Sequence, residues 1–134
     1  MDAIYLKDSQ AIAEGEKTAI PQSRPYKSLP GRHLLIIKDV GVVGVVAVGS
    51  AKAMSAKEFD ENRGRHKVSS YHRMRWWGNT EPLYVYPIDE VLLFPAPLPI
   101  DIPPGSKMLV DTEYELKELP VLCVINGVCW CGEE

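Results

Sequence analysis

The chain has 134 residues, 46% of them apolar and 25% charged, with a formal net charge of −3. That is one domain's worth of protein with enough apolar content to bury a core, which excludes a disordered, collagenous or disulfide-stapled chain. The longest uncharged apolar run, residues 40–49, is far short of the ~20 residues a membrane span needs. The start, Met1-Asp2-Ala3-Ile4-Tyr5, has neither the basic residues nor the apolar stretch of a secretion signal, so a cytoplasmic protein with no membrane partner is expected.

The opening predicts a short helix: Asp8 or Ser9 can cap it, Ile4, Ala11, Ile12 and Ala13 give it apolar positions, and Gly15 ends it. Residues 17–20 predict a strand, after which Pro21, Pro25 and Pro30-Gly31 punctuate a loop. Residues 33–38 and 42–48 are rich in β-branched side chains and predict two strands around a tight connection. Their lack of polar alternation predicts burial on both faces or a small barrel.

Ser55-Ala56-Lys57-Glu58 matches a capping box and opens a helix from Ala56 to about Arg63, with Phe59 on its inner side. A second helix runs from Ser69 or Ser70 to Trp77 and stops at Gly78-Asn79. Residues 83–86 predict a strand, and residues 91–94 continue or follow it. Pro95, Pro97, Pro99, Pro103 and Pro104 then permit only extended or edge segments, and residues 108–110 add a last short strand. Beyond a charged linker at 111–118, two apolar runs flank Asn126-Gly127 within residues 121–131, a strong hairpin signal. An isolated hairpin is marginal in water, so it should dock on the domain or on a second copy. Strands with short inserted helices define an α+β class, and the strand count favours a small, partly open β-barrel over a sandwich.

The net charge averages two opposite halves. Residues 1–80 carry 13 Lys/Arg against 8 Asp/Glu, a net +5, whereas residues 81–134 carry 2 against 10, a net −8. Within the first half, residues 63–75 hold Arg63, Arg65, Lys67, Arg73 and Arg75 with no acid, and Trp76 and Trp77 follow directly. Cations attract phosphates, and aromatic faces stack unpaired bases. Interleaved, they point to single-stranded or flipped-out nucleic acid rather than intact duplex. The competing reading is a plain amphipathic surface, with at least one tryptophan in the core. His66 and His72 are six apart, a poor helical spacing for a shared metal, and read as phosphate or solvent partners. Cys123, Cys129 and Cys131 lack a fourth ligand for zinc, so buried free thiols are expected, with no metal and no cofactor.

Gly15-Glu16-Lys17-Thr18, placed after a short helix and before strands, together with Arg24 two residues beyond the pattern's Arg position, resembles the G-x-K-x-x-x-x-R signature of ASCH domains in the PUA-like barrel superfamily. The Pro30-Gly31 loop, the Gly-rich second strand, an inserted helical segment and the aromatic strand at 83–86 follow in the family's order, so the resemblance spans roughly residues 4–110. It implies a PUA-like (ASCH-like) β-barrel domain over residues 1–112 with short inserted helices, and a tail at 113–134. It also implies a cleft near the motif that binds RNA or a modified nucleobase. Lys17, Thr18 and Arg24 would then line this cationic-aromatic cleft with Trp76 or Trp77, while Arg63, Arg65, Lys67, Arg73 and Arg75 follow the nucleic-acid backbone. One ASCH branch is similar to small amidohydrolases, which makes a hydrolase acting on a modified nucleoside, or a nuclease, the enzymatic alternative, with Lys17 as the activating residue. The position of that branch's catalytic Thr is Ile20 here. A third reading is an interaction domain that forms a homodimer through residues 121–131.

Overall fold

The computed structural model describes residues 1–102, 106–114 and 123–125. Strands β1 (Asp2–Tyr5), β2 (Ala19–Gln22), β3 (Gly31–Ile37), β4 (Gly41–Val48), β5 (Lys52–Met54), β6 (Leu83–Leu98), β7 (Leu109–Asp111) and β8 (Cys123–Ile125) form one mixed sheet. Helix α1 (Ser9–Ala13) follows β1, and α2 (Ala56–Glu61), α3 (Arg63–His66) and α4 (Ser70–Trp77) lie between β5 and β6. The main path of the sheet runs β2-β6-β4-β3-β1-β7, with β5 and β8 as further partners of β6. The sheet curls into a half-barrel carrying a few short helices, the α+β barrel expected.

Residues alternate between the two faces of the sheet, and both faces are buried, as the unbroken apolar runs require. Ile4, Leu35, Val46, Val48 and Val91 join Ile12 of α1 on one face. Ala3, Leu34, Ile36, Val45 and Phe94 occupy the other, covered in part by Leu98, Ile100, Ile102 and Tyr114. A third cluster, Ala19, Met54, Phe59, Val68, Leu83 and Val85, seats the helices on the far end of β6.

Two expectations are corrected. Residues 2–5 are a strand, not the start of a helix: Ala3 and Ile4 point to opposite buried faces and pair in parallel with Leu34 and Leu35. The apolar stretches at 83–86 and 91–94 run on as one strand, the first of the two alternatives expected, and Pro87, Pro95 and Pro97 lie inside it. That strand changes partners along its length, from β2 and β5 to β4 and β8, and its register against β4 shifts twice. Such irregular pairing accommodates residues without an N–H. The second correction is α3, a four-residue helix where the sequence read only the end of α2.

Gly44 is required by a close approach. A Cβ there would lie 2.1 Å from the Leu92 carbonyl oxygen, inside any real contact. The segment beyond the linker contributes β8, whose Val124 pairs with Leu92 of β6. The Asn126-Gly127 turn, Cys129 and Cys131 lie outside the described residues. Among the described residues no helix is long and apolar enough to cross a membrane.

Candidate nucleic-acid interface

The helical insert is built around Phe59. Ser55 caps α2 by accepting from the Glu58 N–H, which turns Phe59 into the core. The His66 ring stacks on Phe59 with centroids 3.8 Å apart, and Trp77 meets Phe59 edge-on at 5.8 Å. Both imidazole nitrogens are used: Nε2–H donates to the Phe59 carbonyl at 2.6 Å, and Nδ1 accepts from the Val68 N–H at 3.0 Å. Only the neutral ring satisfies that pattern. Burial pushes the His66 pKa below the usual histidine value, and the Lys17 charge adds to this against the opposing Phe59 carbonyl and Asp60 carboxylate. His66 is therefore a core histidine, not the phosphate or solvent partner expected.

Arg73 is also turned inward. Its Nε and Nη2 donate to the two Asp60 oxygens at 2.7 and 3.0 Å, and Nη1 reaches the Gly78 carbonyl at 3.4 Å. The hydrogen bond to Asp60 is the main reason its pKa is raised. Arg73 is 8% exposed, so it clamps α4 to α2 and is not among the cations offered to a ligand.

The rest of the basic stretch faces solvent. Arg63, Arg65, Lys67 and Arg75 are exposed, as are Tyr71 and Trp76 at 65% and 56%. Lys67 adopts a left-handed conformation (φ 62°) at the end of α3, and Ser69 opens α4 by accepting from the His72 N–H. With the clamp at 73 and the edge contact at 77 facing inward, positions 71, 72, 75 and 76 of α4 face out. His72 stacks on Trp76 with centroids 5.1 Å apart at 22°, and Arg75 Nη1 donates to the Tyr71 hydroxyl at 3.4 Å. A shallow groove of about 470 Å³ lies beside this ridge, lined by Ser70, Tyr71, Arg73, Met74 and Arg75. Larger hollows of about 640 and 750 Å³ border Leu98–Asp101 beyond the other end of β6 and hold none of the expected site residues.

At the Gly15–Thr18 motif the lysine is turned inward. Lys17 is 5% exposed and its ammonium is paired with Asp8. Thr18 instead supports α3: its N–H donates to the Arg65 carbonyl at 2.9 Å, and Arg65 Nε donates to its hydroxyl at 3.3 Å. Its own carbonyl accepts from the Ile88 N–H of β6. Arg24 is exposed on the loop beyond β2, two residues past its end. Trp77 packs on Phe59, Phe59 stacks on His66, and the Lys17 charge acts on the His66 ring. Ile20, at the position of the amidohydrolase Thr, lies in the core. Among the described residues no group of three or more His, Cys, Asp or Glu is placed to hold a metal.

Sequence reasoning missed Asp8 and Asp60 as the acids that neutralise Lys17 and Arg73, because neither pair lies at a helical spacing. Tyr71 was also missed, although its i, i+4 relation to Arg75 is a legible signal.

No protein-family model matches the chain, and no curated protein matches it. Among solved structures, ASCH from Zymomonas mobilis is similar with a TM-score of 0.56 and 20% identity over 72% of this chain and 73% of that one. Two single-substitution variants of the same protein, one tyrosine-to-phenylalanine and one serine-to-alanine, give TM-scores of 0.53 at 19% identity over 65% of this chain. The half-barrel, the helices carried on it and these structural likenesses agree with the motif at Gly15: the chain has the ASCH fold.

Proposed function

We propose that this chain binds nucleic acid, with RNA as the natural class for an ASCH fold, through the outer face of α3 and α4. The observation that carries the reading is one continuous stretch, residues 63–77, which contains no acid and exposes Arg63, Arg65, Lys67 and Arg75 beside Tyr71 and Trp76. A stretch that served only to hold the fold would turn its cations onto carboxylates, as Arg73 does onto Asp60. Cations that neutralise phosphates release counterions, so affinity should fall steeply with salt. In this reading the Gly15–Thr18 motif acts as a support, holding α3 through Thr18, and Lys17 does not touch the ligand.

The test is fluorescence anisotropy on a labelled RNA strand across a salt series, with Arg63→Gln, Arg65→Gln, Lys67→Gln and Arg75→Gln. Each substitution at a phosphate contact is expected to weaken binding and to reduce the log–log salt slope by about 1. An affinity that ignores both salt and all four substitutions overturns the proposal.

A further inference from the structure

A face that met only phosphates would need cations and nothing else, yet α4 holds two aromatic rings in solvent. Resting on the nucleic-acid reading above, we infer that this face takes an unpaired strand, stacking bases on Trp76 and Tyr71 with a phosphate held by Arg75. The indole is already half of a stack. His72 lies against one face of it at 5.1 Å and 22°, and the His72 Nδ1 is itself within 3.0 Å of the Ser69 hydroxyl. Trp77 bounds the indole edge-on at 5.8 Å. A ring fixed by its neighbours loses little freedom when a base covers it, which is the condition for a stacking platform.

Tyr71 stands five residues earlier on the same helix, about 7.5 Å back along the axis, and meets His72 edge-on at 5.4 Å. His72 lies between the two rings, and Arg75 is held beside Tyr71 by the contact of its Nη1 with the phenol oxygen. Tyr71, His72 and Trp76 therefore form a run of rings with successive centroids 5.4 and 5.1 Å apart, and Arg75 supplies a cation at its Tyr71 end. In a duplex the base faces are buried against one another and cannot reach such a platform. The occupant is therefore single-stranded, and the site tolerates sequence, because every base offers a π-face.

The experiment compares three probes of matched length: oligodeoxythymidylate, the same sugar-phosphate strand with every base replaced by an abasic tetrahydrofuran residue, and a duplex. The first two carry the same charge, so they differ only in what can stack. Thymidylate is expected to bind roughly tenfold or more tightly than the abasic strand. Trp76→Ala should lose about tenfold on thymidylate, with the loss confined to the base-bearing strand, and Trp76→Phe should recover most of it. Trp76 is exposed, and an unchanged thermal melt would confirm that Trp76→Ala leaves the fold intact. Equal, salt-sensitive affinity for thymidylate and the abasic strand overturns this inference while the phosphate-binding reading stands. Tighter binding to the duplex also overturns it. Failure to bind any of the three overturns this inference, and failure on the labelled RNA strand as well overturns both.

Discussion

His66 shows how far a side chain's surroundings outweigh its reputation. In the sequence it stands among arginines and lysines and reads as part of a cationic surface, but in the fold it is sealed between Phe59 and the α3–α4 turn. Because the folded ring is held neutral, its pKa lies below 6.5, and the unfolded chain binds the extra proton first as pH falls. The contribution of His66 is therefore intact above 6.5 and is lost as pH falls through that value toward the folded pKa. The slope should be no steeper than about 1.4 kcal/mol per pH unit. An NMR titration that finds this imidazole protonating at or above 6.5 would contradict the assignment. Phe59, fully buried and in contact with both His66 and Trp77, should cost about 3–5 kcal/mol on Phe59→Ala, read by denaturant unfolding. Phe59 was legible as the inner residue of a capped helix. The burial of His66, Lys17 and Arg73 was not, because it depends on Phe59, Asp8 and Asp60, and no local spacing marks these as partners.

Among the elements, α4 is positioned by two devices of different visibility. The Ser69 cap could be read from sequence, and Ser69→Ala is expected to cost about 0.5–2 kcal/mol. The Asp60–Arg73 clamp could not be read. Asp60→Asn leaves the guanidinium without its counter-charge and should lower the melting temperature, and Arg73→Lys should fail to substitute for it, since an ammonium cannot engage both carboxylate oxygens in parallel. A melting curve of Arg73→Lys that matches the parent would show that the pair holds nothing in place. In the sheet, Gly44→Ala drives a Cβ into the Leu92 carbonyl, so β4 and β6 must part locally, at a cost of about 1–3 kcal/mol measured by chemical unfolding. The β-branched runs announced β3 and β4, whereas β1 was hidden because four residues beside a helix are too few to show a period.

At the scale of the molecule, the barrel class followed from strands without polar alternation, and the ASCH resemblance from the order of motifs along the chain. Where the motif sits relative to α3 and α4 did not follow. Strand β6 explains why the surface could still be assembled. Its first residues hold β2 and β5 beneath the helices, and its later residues hold β4 and β8 in the curled sheet. One uninterrupted backbone thus belongs to both halves, and neither can melt without disturbing the other's ladder. A strand of nucleic acid gripping α4 should raise the unfolding temperature of the entire domain in one transition, by mass action on the folded state. A thermal-shift assay would then report occupancy of the helices through the melting of a sheet the ligand never touches.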